Sequence, residues 1–113
     1  MNRIYVVEDD PVIAGTVAEH LKGWQMQCQC AENFEDIMGE MQHFQPDLVL
    51  LDIKLPYYNG FYWCSEIRKV SKIPIVFISS ADDNMNIVMA MNMGADDFIS
   101  KPFDLQVLTA KLQ

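Results

Sequence analysis

The sequence predicts an α/β domain in which a parallel sheet is covered by helices on both faces. Two observations carry that expectation. Short apolar, β-branched runs alternate from end to end with stretches of helical periodicity. The runs are also close to continuously apolar, most clearly Leu48 to Leu51, as in strands buried on both sides. A third feature concerns chemistry. That same run ends abruptly on an acid, Asp52, and a loop marked by Pro56 and Asn59-Gly60 follows.

Taken in order, RIYVV (3–7) is the first strand. DPVIAGTVAEHLKGW (10–24) is a helix opened by acids and Pro11, with Ile13, Val17 and Leu21 as its inward stripe. QMQCQC (25–30) alternates polar and apolar residues and reads as an edge strand. NFEDIMGEMQHF (33–44) is helical, with Asn33 as cap and Ile37, Met38 and Met41 inward. DLVLLD (47–52) is strand three, FYWCSEIRKV (61–70) helix three and IPIVFISS (73–80) strand four. DDNMNIVMAMNMG (82–94) is helix four, closed by Gly94, with Met85, Met89, Met91 and Met93 expected mostly in the core. DFIS (97–100) is a fifth strand and DLQVLTAKLQ (104–113) a fifth helix. Right-handed crossovers leave few topologies for such a chain. The one expected here is the doubly wound, flavodoxin-like order 2-1-3-4-5.

At 113 residues, half of them hydrophobic, the chain is long enough for one domain with a core that needs no disulfide or metal staple. No apolar run approaches the length that spans a membrane, and strand-like sequence begins at once, so the expected location is the cytoplasm. Cys28, Cys30 and Cys64 are odd in number and lack zinc-ligand spacing, which suits reduced packing thiols. The net charge of −8 repels phosphate backbones, so the segment by itself is not expected to bind nucleic acid.

In an open α/β sheet, ligands bind at the carboxyl ends of the strands where helices change sides. Glu8 and Asp9 follow strand one, Asp52 ends strand three, Ser80 ends strand four, and Lys101-Pro102 follows strand five. Three carboxylates, a hydroxyl and an ammonium thus converge on one edge. The carboxylates need counter-charge, which Lys101 supplies in part and Mg²⁺ best completes. A carboxylate beside Mg²⁺ can attack a phosphoryl donor, so Asp52 is expected to be exposed and to act as the nucleophile. Lys101 and Ser80 would stabilise the transferring group. Asp10 reads as a helix-capping acid.

The motifs VVEDD (6–10), LLDIKLPYYNG (50–60), ISSA (78–81) and GADDFISKPF (94–103) together resemble the receiver domain of bacterial two-component response regulators over the whole chain. The resemblance implies phosphorylation of Asp52 by a sensor histidine kinase. It makes Asp9 a Mg²⁺ ligand, Glu8 a ligand through water, and the backbone carbonyl of Lys54 a further ligand. Ser80 becomes the switch hydroxyl, Lys101 the phosphate-binding cation and Phe98 the aromatic that rotates inward, with a cis Lys101-Pro102 peptide. Such a domain is a regulatory phosphoacceptor, not an enzyme acting on other substrates. GADDFISKPF further resembles the winged-helix, OmpR-type subgroup. The chain stops inside a periodic helix at Gln113, so a DNA-binding domain is expected beyond 1–113, and DNA would be a partner only through it. GFYWC (60–64) is similar to regulators paired with kinases that respond to cell-envelope antibiotics.

The same subgroup pairs through helix four, strand five and helix five. Here Val88, Met91 and Ala110 would form the apolar patch of a homodimer, and Asp97 with Lys111 an ion pair across the two-fold axis. Ile87 and Val107 stand where the subgroup has a base and an acid. On helix one, Pro11, Gly15, Ala18 and Lys22 make the outward face, where Gly15 is either a tolerated glycine or a flat seat for a kinase helix. His20 and His43 read as solvated, and the aromatic group Tyr57, Tyr58, Phe61, Tyr62 and Trp63 mostly as packing. Two alternatives differ in function. A stand-alone receiver would act as a phosphorelay intermediate or by protein contact. A phosphatase with an aspartate nucleophile would need a second acid where Lys54 stands.

Overall fold

The computed structural model describes residues 2–80 and 84–112. Five strands alternate with five helices. β1 is Arg3–Val7, α1 Pro11–Lys22, β2 Gln27–Cys30, α2 Ile37–Phe44 and β3 Leu48–Asp52. α3 is Gly60–Val70, β4 Ile75–Ser79, α4 Asn84–Asn92, β5 Asp97–Ser100 and α5 Leu105–Leu112. The strands form one parallel sheet in the order β2-β1-β3-β4-β5, the order the sequence predicts.

Alternation along each strand sends side chains to two separate cores. Tyr5, Val7, Val49, Leu51, Ile75 and Phe77 pack on one face, against Ile37 and Met41 of α2 and Trp63 and Ile67 of α3. Ile4, Val6, Leu48, Leu50, Val76 and Ile78 pack on the other, against Val17 and Leu21 of α1 and Leu108 of α5. β3 and β4 are buried along their whole length, which is why their sequences are unbroken apolar runs. Half-buried Cys28 and Cys30 pack together on the α1 side, and burial pushes the Cys28 thiol up to about 11.

The helices hold the differences from expectation. α2 starts at Ile37, because Asp36, not Asn33, caps it by accepting from the Gly39 amide at 2.9 Å. Asn33 instead closes the turn before it, accepting from Glu35. Ala18 is buried, so the outward face of α1 retains Pro11, Gly15 and Lys22. His20 is not simply solvated. Its Nε2 lies 2.8 Å from the hydroxyl of buried Thr109, which itself donates to the Leu105 carbonyl and links α1 to α5. Among the described side chains of α4 the buried one is Ala90, and Met93, just past the helix, packs on the core edge. Met85, Met89 and Met91 are exposed rather than core. Ala81, the expected helix start at Asp82 and Asp83, and Gln113 lie outside the described residues.

Candidate functional site

Strand register assembles the site. Val7 pairs with Leu51, so Glu8 and Asp52 emerge side by side from neighbouring strands. Ser79 pairs with Ser100, which brings Lys101 next to the end of β4, and the Lys101 amide donates to the Ser79 carbonyl at 2.9 Å. The Lys101-Pro102 peptide is cis. The loop after β3 folds back tightly: the Gly60 amide donates to the Ile53 carbonyl at 2.7 Å. A Cβ at Gly60 would lie 2.1 Å from the Asp52 carbonyl oxygen, so only glycine lets α3 start against the backbone of Asp52. Asn59 caps that helix by accepting from Tyr62 at 2.9 Å.

The side chains then converge. Glu8, Asp9 and Asp52 bring carboxylate oxygens within 4.8 Å of one another. The Lys101 ammonium donates to Asp52 Oδ2 at 3.1 Å and to Glu8 Oε1. Asp52 Oδ1 accepts from the Ile53 amide at 2.8 Å, and Glu8 Oε2 from the Asp10 amide at 3.2 Å. Asp10 itself caps α1, accepting from Val12 at 2.9 Å. The expected exposure of Asp52 is corrected here: it retains 4 % of its surface and Glu8 retains 3 %. The register that pairs β1 with β3 sets the two side by side, and both line the cavity above them.

Burial sets the electrostatics. It pushes the Glu8 carboxyl above the usual carboxylate range, against the pull of Lys101 and with help from Asp52. Asp9 is likewise raised, by burial and by Glu8. Burial pushes Lys101 down, but Glu8 and Asp52 together hold it above its ordinary value, so it stays charged. One ammonium faces three carboxylates. The donor set is all oxygen, with no thiol or imidazole, which suits a hard cation such as Mg²⁺.

A cavity of about 680 Å³ opens over this floor, bordered by Glu8, Asp9, Asp52, Ser80 and Lys101. Ser80 is exposed and lines it, whereas Ser79 is buried. Lys54 is exposed and is not among the described residues lining it. Phe98 is half-buried with its ring stacked on Phe77, centroids 6.5 Å apart. Val88, Met91, Val107, Ala110 and Lys111 are exposed, and Ile87 is half-buried. Within the chain, Lys111 and Asp97 pair at 2.9 Å. Although burial opposes it, Lys111 holds the Asp97 carboxyl below its usual range.

Sequence reasoning missed the far wall of the cavity, Ile13, Phe103 and Leu105. Phe103 had a signal, since it ends the KPF motif. It also missed Arg68, which donates to the carbonyls of Gly94 and Ile73 and to Asp96 and so anchors the turn before β5. The aromatic group divides. Trp63 is buried and Phe61 packs on Phe77, while Tyr58 and Tyr62 stack at 4.4 Å and stay partly exposed beside exposed Tyr57.

A parallel 2-1-3-4-5 sheet with three acids, a hydroxyl and a lysine at its carboxyl edge defines a class of signalling domain. The chain belongs to the response regulator receiver domain family, which matches residues 4–113. It is 49 % identical over its full length to an uncharacterised transcriptional regulatory protein, YvcP, of Bacillus subtilis, of which it covers 48 %. The N-terminal domain of the nisin resistance regulator NsrR superposes with a TM-score of 0.90 at 54 % identity, covering 99 % of this chain and 95 % of that one. The activated receiver domain of Klebsiella pneumoniae RstA, carrying BeF₃, superposes at 0.94 with 36 % identity, covering 98 % and 95 %. The chain spans about half the length of the curated relatives it matches. Among the described residues no helix is long and apolar enough to cross a membrane.

Proposed function

We propose that the chain is a phosphorylation-controlled switch that takes a phosphoryl group onto Asp52 from a sensor histidine kinase in the cytoplasm. One observation carries this reading: Lys101 holds a buried aspartate and a buried glutamate at the floor of an open cavity. The Ile53 amide and Lys101 fix the Asp52 carboxylate from both sides, so its oxygen needs little reorientation before attack. As the donor's bond to phosphorus breaks and the Asp52 bond forms, Lys101 and the Ser80 hydroxyl stabilise the phosphoryl oxygens. Asp9, Asp52, Glu8 (through water) and the Lys54 carbonyl are the groups that would hold Mg²⁺, which when bound adds positive charge beside those oxygens. Asp10 remains a helix cap.

Ser80 and Phe98 then carry the change to α4, β5 and α5, with Phe98 turning further inward. That face pairs two chains through Ile87, Val88, Met91, Val107 and Ala110, with Asp97 and Lys111 at its rim. The output is control of an attached DNA-binding domain, in keeping with relatives about twice as long. The chain catalyses its own phosphorylation and slow dephosphorylation only. The test is intact mass after acetyl phosphate. A single phosphoryl adduct is expected on wild type with Mg²⁺, and none without Mg²⁺ or on Asp52→Asn. An unmodified, folded wild type under donor and Mg²⁺ overturns the reading.

A further inference from the structure

A second set of metal-ligating side chains lies on β2, away from the acids, and its atoms are sulfur. In QCQC, Cys28 and Cys30 stand two residues apart, so both point to the same face of the sheet. The register places them beside Ile4 and Val6 of β1, and both thiols pack on the core beneath α1. Met26, two residues before Cys28, brings a thioether to the same core. The Cys30 thiol donates to the Ala14 carbonyl of α1 at 3.6 Å. β2 is the edge of the sheet and both thiols are half-buried, so an ion can reach them from the open side of the strand. Cys64, by contrast, is buried in the opposite core.

Strand geometry decides what can join the pair. Residues two apart on one strand stand about 6.6 Å apart. A disulfide needs Cβ atoms about 3.5–4.5 Å apart, so the strand would have to buckle to form one. A metal between the sulfurs spans more. Two metal–sulfur bonds of about 2.3 Å each hold sulfurs on the order of 4–5 Å apart, within reach of side chains that lean together. Two sulfurs do not complete the tetrahedral set that zinc takes. They suit a soft cation content with few ligands, and thiolate and thioether sulfur selects Cu(I).

We propose that Cys28 and Cys30 form a site for a soft monovalent cation, Cu(I) or Ag(I), held between two thiolates on the edge strand. Each thiol gives up its proton to solvent as its sulfur bonds to the metal, and no electron is transferred. Without metal, burial holds both thiols protonated, above their ordinary range, while Lys22 pulls each back toward thiolate. Two thiolates and one monovalent cation leave a single negative charge, which the Lys22 ammonium offsets. The hard oxygen donors around Asp52 do not compete for such an ion.

The experiment adds Cu(I) anaerobically to the protein in competition with a coloured Cu(I) chelator, and native mass counts the ions on each chain. Wild type and Cys64→Ala should each take one Cu(I) per chain from the chelator. Cys28→Ser and Cys30→Ser should each leave the ion with the chelator, because a hydroxyl is a hard, neutral donor. If Cys28→Ser or Cys30→Ser fails to fold, Cys28→Ala and Cys30→Ala bury no hydroxyl and are read the same way. A folded wild type that takes no Cu(I) overturns the site. Uptake that survives the loss of either Cys28 or Cys30, or that is lost in folded Cys64→Ala, overturns it as well. One ion shared between two chains does the same, since the two thiols would then act apart.

Discussion

The carboxyl edge of the sheet and the surface of α4 and α5 break the usual partition of residues in opposite directions. At the edge, charge is buried: Glu8 keeps 3 % of its surface and Asp52 keeps 4 %. On the helices, hydrocarbon is exposed: Met85 keeps 77 %, Val88 54 % and Val107 48 %. Charged side chains are rarely buried unless paired, and here Lys101 pairs with both acids. Contiguous exposed apolar residues mark contact surfaces. The two lysines make the same contrast. Lys101 sits inside with its side chain 15 % exposed, whereas Lys111 pairs with Asp97 in the open at 38 %. An ion pair of one chemistry therefore has two different roles, set by the solvent around it.

Removing the buried cation should have the largest effect. Lys101→Met leaves Glu8 and Asp52 facing each other without neutralisation, and urea unfolding at neutral pH without divalent ions should show a loss of about 3–5 kcal/mol. A loss under about 1 kcal/mol would mean the acids are relieved some other way. On the opposite region, Val88→Lys should weaken the phosphorylated dimer at least tenfold, about 1.4 kcal/mol, in sedimentation. Because Val88 is half exposed, monomer stability should move by no more than about 0.5 kcal/mol. A phosphorylated protein that is monomeric throughout counts against that surface.

Proton linkage sharpens the contrast further. The fold holds protons on Glu8 and Asp9 more tightly than the unfolded chain does, since both carboxyls are raised. Their contribution is most favourable below the ordinary carboxylate range and declines as pH rises through the raised values. Lys101, also raised, stays protonated across that interval and adds no slope. Without divalent ions the melting temperature should therefore fall from about pH 5 to about pH 8, and millimolar Mg²⁺ should recover more of it at the higher pH. Equal recovery at both would separate ion binding from these two acids.

The smallest effects belong to the surface. A Cβ at Gly15 meets nothing within 4 Å, so Gly15→Ala should stabilise the protein by about 0.5–1 kcal/mol in chemical denaturation. A loss there would reveal a contact on the outward face of α1. Lys111→Met should change stability by less than about 1 kcal/mol, and less still at high salt. A larger change would remove the distinction drawn between the two lysines.

The strands were legible because their signal is local. A run such as Leu48 to Leu51 needs no partner to declare itself, and a parallel sheet covered on both faces is what such runs build. The edge of the sheet followed, because residues after parallel strands must emerge together, and Glu8, Asp9, Asp52, Ser80 and Lys101 do. Gly60 and Gly94 were legible as punctuation for the same local reason, and Gly94 takes a φ of +98°. The covering of helices was not. Apolar residues stand all around α4, so periodicity alone put its methionines in the core, while the sheet accepts Ala90 and the edge of Met93. Ala18 and His20 lie on the flank of α1, and only tertiary packing decides that one is buried and the other bonded to Thr109 of α5. By itself the sequence determined which groups stand at the sheet's carboxyl edge, since strand positions and, through the alternating helices, their parallel direction follow from local patterns. Only the tertiary structure decided how deeply Asp52 sits, that Glu8 and Asp52 share one ammonium, and that Phe103 and Leu105 wall the cavity. Burial and long-range contacts are properties of neighbours that lie tens of residues away along the chain.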